Sequence, residues 1–293
     1  MTVIAPWLLV GLLGGFTGCP SSRDTGPTAR HIPTVLPVPP LDVTYLPERG
    51  GPVTLDDPRW DRLPALALMP DAERIADGVT LREPGTFRLA HHESALLLRI
   101  DFVDTDLICT ADGDGDTLFR KSDVVEWFIG PPPTVQPDGT LAGGWYLELH
   151  ASPTGLRTAY FWSRPRIDVV LDPPPFDLEV RASGTVQDGR SARPVNEADD
   201  RWSALLTLPW SVLQGLDSAA ALGTPLTTLI ARYSYGHRTA YRGQAPAGPE
   251  LSMHPPQPRA AFHLRPFHAP LRLLSDKPLV SEPPLPPPSE ASP

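Results

Sequence analysis

The stretch Trp145-Tyr146-Leu147-Glu148-Leu149-His150 decides how the rest of the chain is read. In an extended segment Trp145, Leu147 and Leu149 share one face while Tyr146, Glu148 and His150 share the other, the period-two pattern of a strand. Phe176, Leu178 and Val180 oppose Asp177, Glu179 and Arg181 in the same way. Residues 95–102 and 124–129 are short apolar runs suited to strands covered on both faces. Further strands are predicted at 156–162, 201–208, 226–235 and 261–264, each bounded by Gly, Pro, Asp or Ser. A short helix is predicted after Pro209, with Trp210, Leu213 and Leu216 on one side. Seven or more short strands separated by turn signals argue for an all-β fold. The expected form is an antiparallel β-sandwich, jelly-roll or immunoglobulin-like, with one or two short helices.

Composition supports this and removes other classes. Proline supplies 39 of the 293 residues and glycine 23. Proline breaks helices and blocks interior sheet hydrogen bonds, so at this density an all-α or coiled-coil chain is excluded. With 25 Lys and Arg against 34 Asp and Glu, the formal charge is -9. No basic footprint for a nucleic-acid backbone exists, and nucleic acid is not an expected partner.

The chain divides by composition into four parts. Residues 1–19 hold a short apolar run from Trp7 that ends Thr17-Gly18-Cys19, the pattern of a bacterial lipoprotein signal in which Cys19 becomes the lipidated first residue. Residues 20–50 contain seven prolines and little apolar periodicity, and read as an extended Pro-rich tether. Residues 51–276 form the candidate sandwich domain, and 277–293, with another seven prolines, read as a disordered tail. The expected location is the cell envelope, membrane-anchored through Cys19, with the chain acting as a monomer. Cys109 is then the single remaining thiol, in an apolar stretch that suits a buried, inert side chain.

Among chemical motifs, no Gly-x-Ser-x-Gly elbow, phosphate-binding glycine loop or His-Glu-x-x-His helix occurs. Asp112-Gly-Asp114-Gly-Asp116 places carboxylates at every second residue, and Asp123 falls at the twelfth place of that loop. Such spacing lets Asp112, Asp114, Asp116 and Asp123 converge on a hard cation, so structural calcium is weighed against a solvated acidic hairpin tip. Thr117 at the sixth place and the absence of flanking helices exclude an EF-hand.

One order of motifs is more specific than any of its pieces. Leu97-Leu-Arg-Ile-Asp101, then Asp104-x-Asp106, Asp123-Val-Val-Glu126-Trp-Phe-Ile129 and Trp145-Tyr-Leu-Glu148-Leu-His-Ala-Ser-Pro153-x-Gly155 follow one another as in family 9 carbohydrate-binding modules. Trp60 upstream, and Trp202 to Pro209-Trp210 and Ala261-Phe262-His263 downstream, resemble the same family's opening and closing segments. The resemblance implies a β-sandwich that binds sugar without catalysis, using aromatic rings and a carboxylate, with structural calcium nearby. It places Glu126 on the family's sugar-bonding acid. Arg120 stands where sugar-gripping members have Trp, with Phe119 beside it; Phe262 and His263 stand near the second gripping Trp, and Glu148 where such members have Arg.

The resulting expectation is a membrane-tethered, extracytoplasmic domain that binds a glycan through Phe119, Glu126, Glu148, Phe262 and His263 and is not itself an enzyme. The alternatives are an envelope interaction module that kept the scaffold and lost the clamp, and a glycoside hydrolase with facing carboxylates. Whether Phe119, Phe262 and His263 line one groove with Glu126 at its floor discriminates between binding and bare scaffold.

Overall fold

The computed structural model describes residues 38–48, 51–135, 141–142, 144–164, 167–186, 199–216, 225–235 and 249–274, all within a compact unit spanning 35–293. The signal with Cys19, most of the tether and the tail lie outside the described residues. In chain order the strands are β1 (Leu41–Tyr45), β2 (Leu66–Ala67), β3 (Gly85–His91), β4 (Ala95–Val103), β5 (Val124–Gly130), β6 (Thr134–Val135), β7 (Leu141–Ala142) and β8 (Tyr146–Ala151). They continue with β9 (Arg157–Arg164), β10 (Ile167–Val170), β11 (Asp177–Ser183), β12 (Arg201–Pro209), β13 (Leu226–Ser234), β14 (Glu250–His254) and β15 (Ala269–Leu273). Two short helices, α1 (Ala72–Ala76) and α2 (Trp210–Leu216), complete an all-β, sandwich-like architecture.

One half of the sandwich runs β10-β9-β8-β5-β13-β15 and the other β3-β4-β12-β11, and β1 joins them. Leu41, Asp42 and Val43 pair with β15, after which Thr44 and Tyr45 pair with β3, so five residues cross from one half to the other. Both pairings of β1 are parallel, whereas every other pairing among the described strands is antiparallel. The expected purely antiparallel sandwich is corrected at this seam. So is the tether, whose range of 20–50 includes β1: Leu41 and Val43 are buried core residues lying among the prolines that masked them.

Alternation positions the layers. Leu96, Leu98, Ile100 and Phe102 of β4 and Trp202, Ala204, Leu206 and Leu208 of β12 meet Val125, Trp127 and Ile129 of β5 and Leu147 and Leu149 of β8 in the main core. The opposite faces are also covered. Trp60, Leu55 and Leu63 pack over Leu97 and Leu205 on one side, while Met253 and Phe262 pack over Phe128, Tyr146, Leu229 and Ala231 on the other. This double cover explains why 95–102 and 124–129 carry apolar residues on both faces. The predicted helix after Pro209 is α2, which buries Trp210 and Leu213. Residues 261–264 are a turn instead of the expected strand, closed by Leu264 N–H donating to the Ala261 carbonyl at 2.8 Å.

At one end of the sandwich, Arg232 of β13 and Asp104 after β4 form an ion pair at 2.9 Å with both side chains 0% exposed. The guanidinium also donates to the Glu83 and Val103 carbonyls and lies 4.5 Å from the centroid of the Phe102 ring. Burial, more than the opposing pull of Arg232, lifts the Asp104 carboxyl to about 6. Removing one partner of a buried pair strands the other charge, at a cost of ~3–5 kcal/mol. Asp104→Ala is therefore expected to lower the urea midpoint strongly at an unchanged slope, and a midpoint close to that of the parent would show the pair to be dispensable.

Candidate functional site

β9, β8, β5 and β13 lie side by side, and their faces turned away from the main core carry the polar chemistry. In register, Glu126 of β5 stands opposite His150 of β8 and Ala231 of β13, while Glu148 of β8 stands opposite Phe128 and, on the other side, Tyr160 of β9. Period two therefore delivers Glu126, Glu148, His150, Tyr160 and Trp162 to one surface. Two segments wall it: the 3₁₀ turn Leu118–Arg120 carrying Phe119, and the turn carrying Phe262 and His263. Between them opens a cleft of about 590 Å³, and all five sequence-predicted binding residues, Phe119, Glu126, Glu148, Phe262 and His263, line it.

The two carboxylates at the floor differ in their surroundings. Glu148 is 4% exposed and held at both oxygens: Trp162 Nε1–H donates to Oε2 at 2.6 Å, and His150 Nε2 lies 2.8 Å from Oε1. Glu126 is 2% exposed, and its nearest donor is the same His150 Nε2, at 3.3 Å from Oε1. That nitrogen carries at most one proton, and the shorter contact directs it to Glu148. No other donor among the described residues reaches Glu126. Burial, and after it the charge of Glu148, push the Glu126 carboxyl well above the usual carboxylate range. Burial likewise raises the Tyr233 phenol, with Glu126 and Glu148 adding to the effect. One ligand atom from each of Glu126, Glu148 and His150 lies within 4.8 Å of the others, so this trio is the grouping in the cleft that a cation could address.

Aromatic rings form the walls. Trp162 stacks on Tyr146 with centroids 5.7 Å apart and planes 6° from parallel, and His263 lies 4.7 Å from the Trp162 ring. The His263 side chain is 54% exposed, and its Nδ1 is 2.8 Å from the Tyr146 hydroxyl. Phe119 packs edge-on to His150 and tilts against Tyr233, which in turn meets Phe262 edge to face. Trp162, Tyr160 and Tyr233 also line the cleft but were not among the predicted site residues. The signal for the first two was present, since alternation through 156–162 places Tyr160 and Trp162 together and apart from core-facing Phe161. For Tyr233, only the pairing of β13 with β5 brings it to this face.

The acidic loop is arranged differently from what its spacing predicts. Asp116 accepts from Lys121 Nζ and from Thr117 N–H, each at 2.7 Å, and Asp114 accepts from Arg157 N–H at 2.9 Å. The Asp112 backbone N–H itself donates to Asp116. Asp123 turns inward at the start of β5, fully buried, and both its oxygens take backbone N–H groups, from Ile108 and Tyr235, at 2.6 Å. Among the described residues, Asp112, Asp114, Asp116 and Asp123 do not share a cation-sized grouping. The chain's own amides and cations answer Asp114, Asp116 and Asp123.

The cover over this surface is pinned from beneath by His268, whose Nε2 donates to the Phe262 carbonyl at 2.8 Å while its ring packs 5.9 Å from Phe128. Burial, then the charge of Arg265, depress this imidazole to about 3. A histidine whose folded value lies below its unfolded value of ~6.5 gives stability that is complete above that value and lost as pH falls through it. The parent should thus lose stability progressively from about pH 6.5 down towards pH 3, and His268→Gln should flatten this group's share of the profile in paired thermal melts. Parallel profiles for the two proteins would exclude His268 as the cause.

No family model matches the sequence, and no curated protein matches it significantly. Solved structures are similar to it. One is a candidate carbohydrate-binding protein from Bacteroides uniformis ATCC 8492, with a TM-score of 0.57 and 13% identity, covering 81% of this chain and 100% of that one. Two others are complexes of a family 9 carbohydrate-binding module from Caldicellulosiruptor kristjanssonii. The glucose complex has a TM-score of 0.44 at 13% identity, covering 82% of this chain and 99% of that one. The cellotriose complex has 0.45 at 14%, covering 83% and 100%.

Proposed function

We propose that this protein binds carbohydrate noncatalytically in the cleft over β8 and β5. The observation that carries the reading is the coexistence there of a buried carboxyl without a strong donor of its own and a wall of aromatic rings. A sugar offers hydroxyl donors around its edge and weakly polar C–H faces, so Glu126 can take the donors while Trp162 and Phe119 cover the faces. Glu148, clamped by Trp162 and His150, holds the tryptophan in place and ties recognition to a preorganised floor. Fold likeness to a candidate carbohydrate-binding protein points the same way.

The direct test is a broad glycan array probed with the full chain, followed by calorimetry on whatever binds. Glu126→Gln keeps the shape and removes the carboxyl that sugar donors would favour in its charged form, and is expected to cost ~1.5–3 kcal/mol, the scale of a hydrogen bond to a charged group. That corresponds to about 10- to 150-fold in affinity. Absence of any glycan binding at millimolar concentration, or unchanged affinity in the variant, would favour an envelope scaffold without a clamp.

We further propose that the domain is displayed from an envelope membrane through lipidated Cys19. The support is the sequence pattern before Cys19 and the prolines between it and β1. Expressed in a bacterial host, the parent should fractionate with membranes and Cys19→Ala should not. Parent protein recovered soluble with residues before Cys19 intact would refute the anchor.

A further inference from the structure

We propose that the sugar this cleft prefers carries a free ammonium group, as in a glucosamine-terminated oligosaccharide, with the ammonium seated against Glu126 and among the rings of Phe119, Tyr233 and Trp162. The inference rests on the carbohydrate-binding reading and narrows its ligand class.

Three features lead to it. First, the floor carries two carboxylates and one imidazole, so with both acids ionised it keeps net negative charge even when His150 is protonated. Second, the acceptor capacity is unevenly used. Glu148 is committed to Trp162 and His150, whereas Glu126 faces the cleft with only the shared His150 contact at 3.3 Å. An ammonium brings three donors and a positive charge to the group that lacks both. Its charge would also relieve the penalty that burial and Glu148 now impose on ionising Glu126. Third, the walls are π-faces, which attract a cation electrostatically where a neutral hydroxyl gains little. Arg120, the cleft's own cation, lies over Phe119 with its guanidinium carbon 5.3 Å from the ring centroid, and makes no ion pair with Glu126.

A divalent metal on Glu126, Glu148 and His150 is the competing occupant, and the hydrogen bonds disfavour it. His150 Nε2 and both oxygens of Glu148 already have protein partners. A metal-bound imidazole normally passes its other N–H to an acceptor, yet His150 Nδ1 is buried without a partner among the described residues. Binding a metal would break two good contacts, whereas an ammonium adds donors to the one acid that has room.

Glucosamine trimer, N-acetylglucosamine trimer and cellotriose differ chiefly in the substituent at position 2, so titrating the full chain with each isolates the amine. At pH 6.5 and 0.15 M salt, the free-amine trimer is expected to bind at least tenfold tighter than either neutral trimer. Glu126→Gln should reduce that preference to less than threefold while circular dichroism and melting remain those of a folded protein. Equal affinities for the three trimers would overturn the ammonium site and leave carbohydrate binding standing, as would a full preference retained in Glu126→Gln. Binding of none of the three would overturn the ammonium site, while carbohydrate binding as such stands or falls on the glycan array. The parent comparison alone decides the matter if the variant does not fold. A preference that appears only when zinc is added would assign the floor to a metal and also overturn the proposal.

Discussion

Arg232 is the point through which the two halves of the sandwich are held at one end. It belongs to β13, yet its guanidinium is spoken for by the other half: the Glu83 carbonyl before β3, the Val103 carbonyl at the end of β4, and the Asp104 carboxylate. A charge taken wholly out of water is tolerated only with partners such as these on both terminal nitrogens, and the pairing demands that β4 and β13 end at matching heights. The strand ends β4 and β13 fix the heights of their neighbours through continuous registers, β12 against β4 and β5 against β13. The position of Glu126 on β5 follows from that chain of constraints.

The same logic explains why acids can sit at the bottom of an otherwise apolar surface. The outer face of β5 and β8 is roofed by Met253 and Phe262, and the roof stops short of Glu126 and Glu148. Both acids are nevertheless buried, Glu126 at 2% and Glu148 at 4% exposure. A carboxyl in such a place interacts strongly with whatever enters, because neither bulk solvent nor a protein cation has already answered it. Glu148 shows the contrasting case of an acid whose partners are built in.

What could be read from the chain divides along physical lines. Strands whose alternation is set by their own residues were legible, as 145–150, 201–208 and 226–235 show, and so was α2 after Pro209. Local chemistry does not reveal which strand lies beside which, so Tyr233 could not be assigned to the site before β13 was known to pair with β5. β1 escaped notice because its five residues lie among prolines and its value lies in pairing with segments more than two hundred residues away on one side. The acidic loop misled for the opposite reason. Regular spacing of Asp112, Asp114 and Asp116 suggests convergence, but Lys121, invisible as a partner in the sequence, takes Asp116 and Arg157 takes Asp114. All five predicted binding residues reached one cleft because their placement depended on alternation and on the order of motifs together.

β1 also has a mechanical meaning. It is the first described strand, and it lies parallel to both β15 and β3, with its hydrogen bonds ranged crosswise to its axis. A pull along that axis from the N-terminal side loads those bonds together, in shear, instead of peeling them one at a time. The ladder must then yield as a unit, and the buried side chains of Leu41 and Val43 must leave the core at the same moment. Extension from this end would therefore load the seam between the sheets, separated from β5 by β15 and β13, before it reached the strands that carry the cleft.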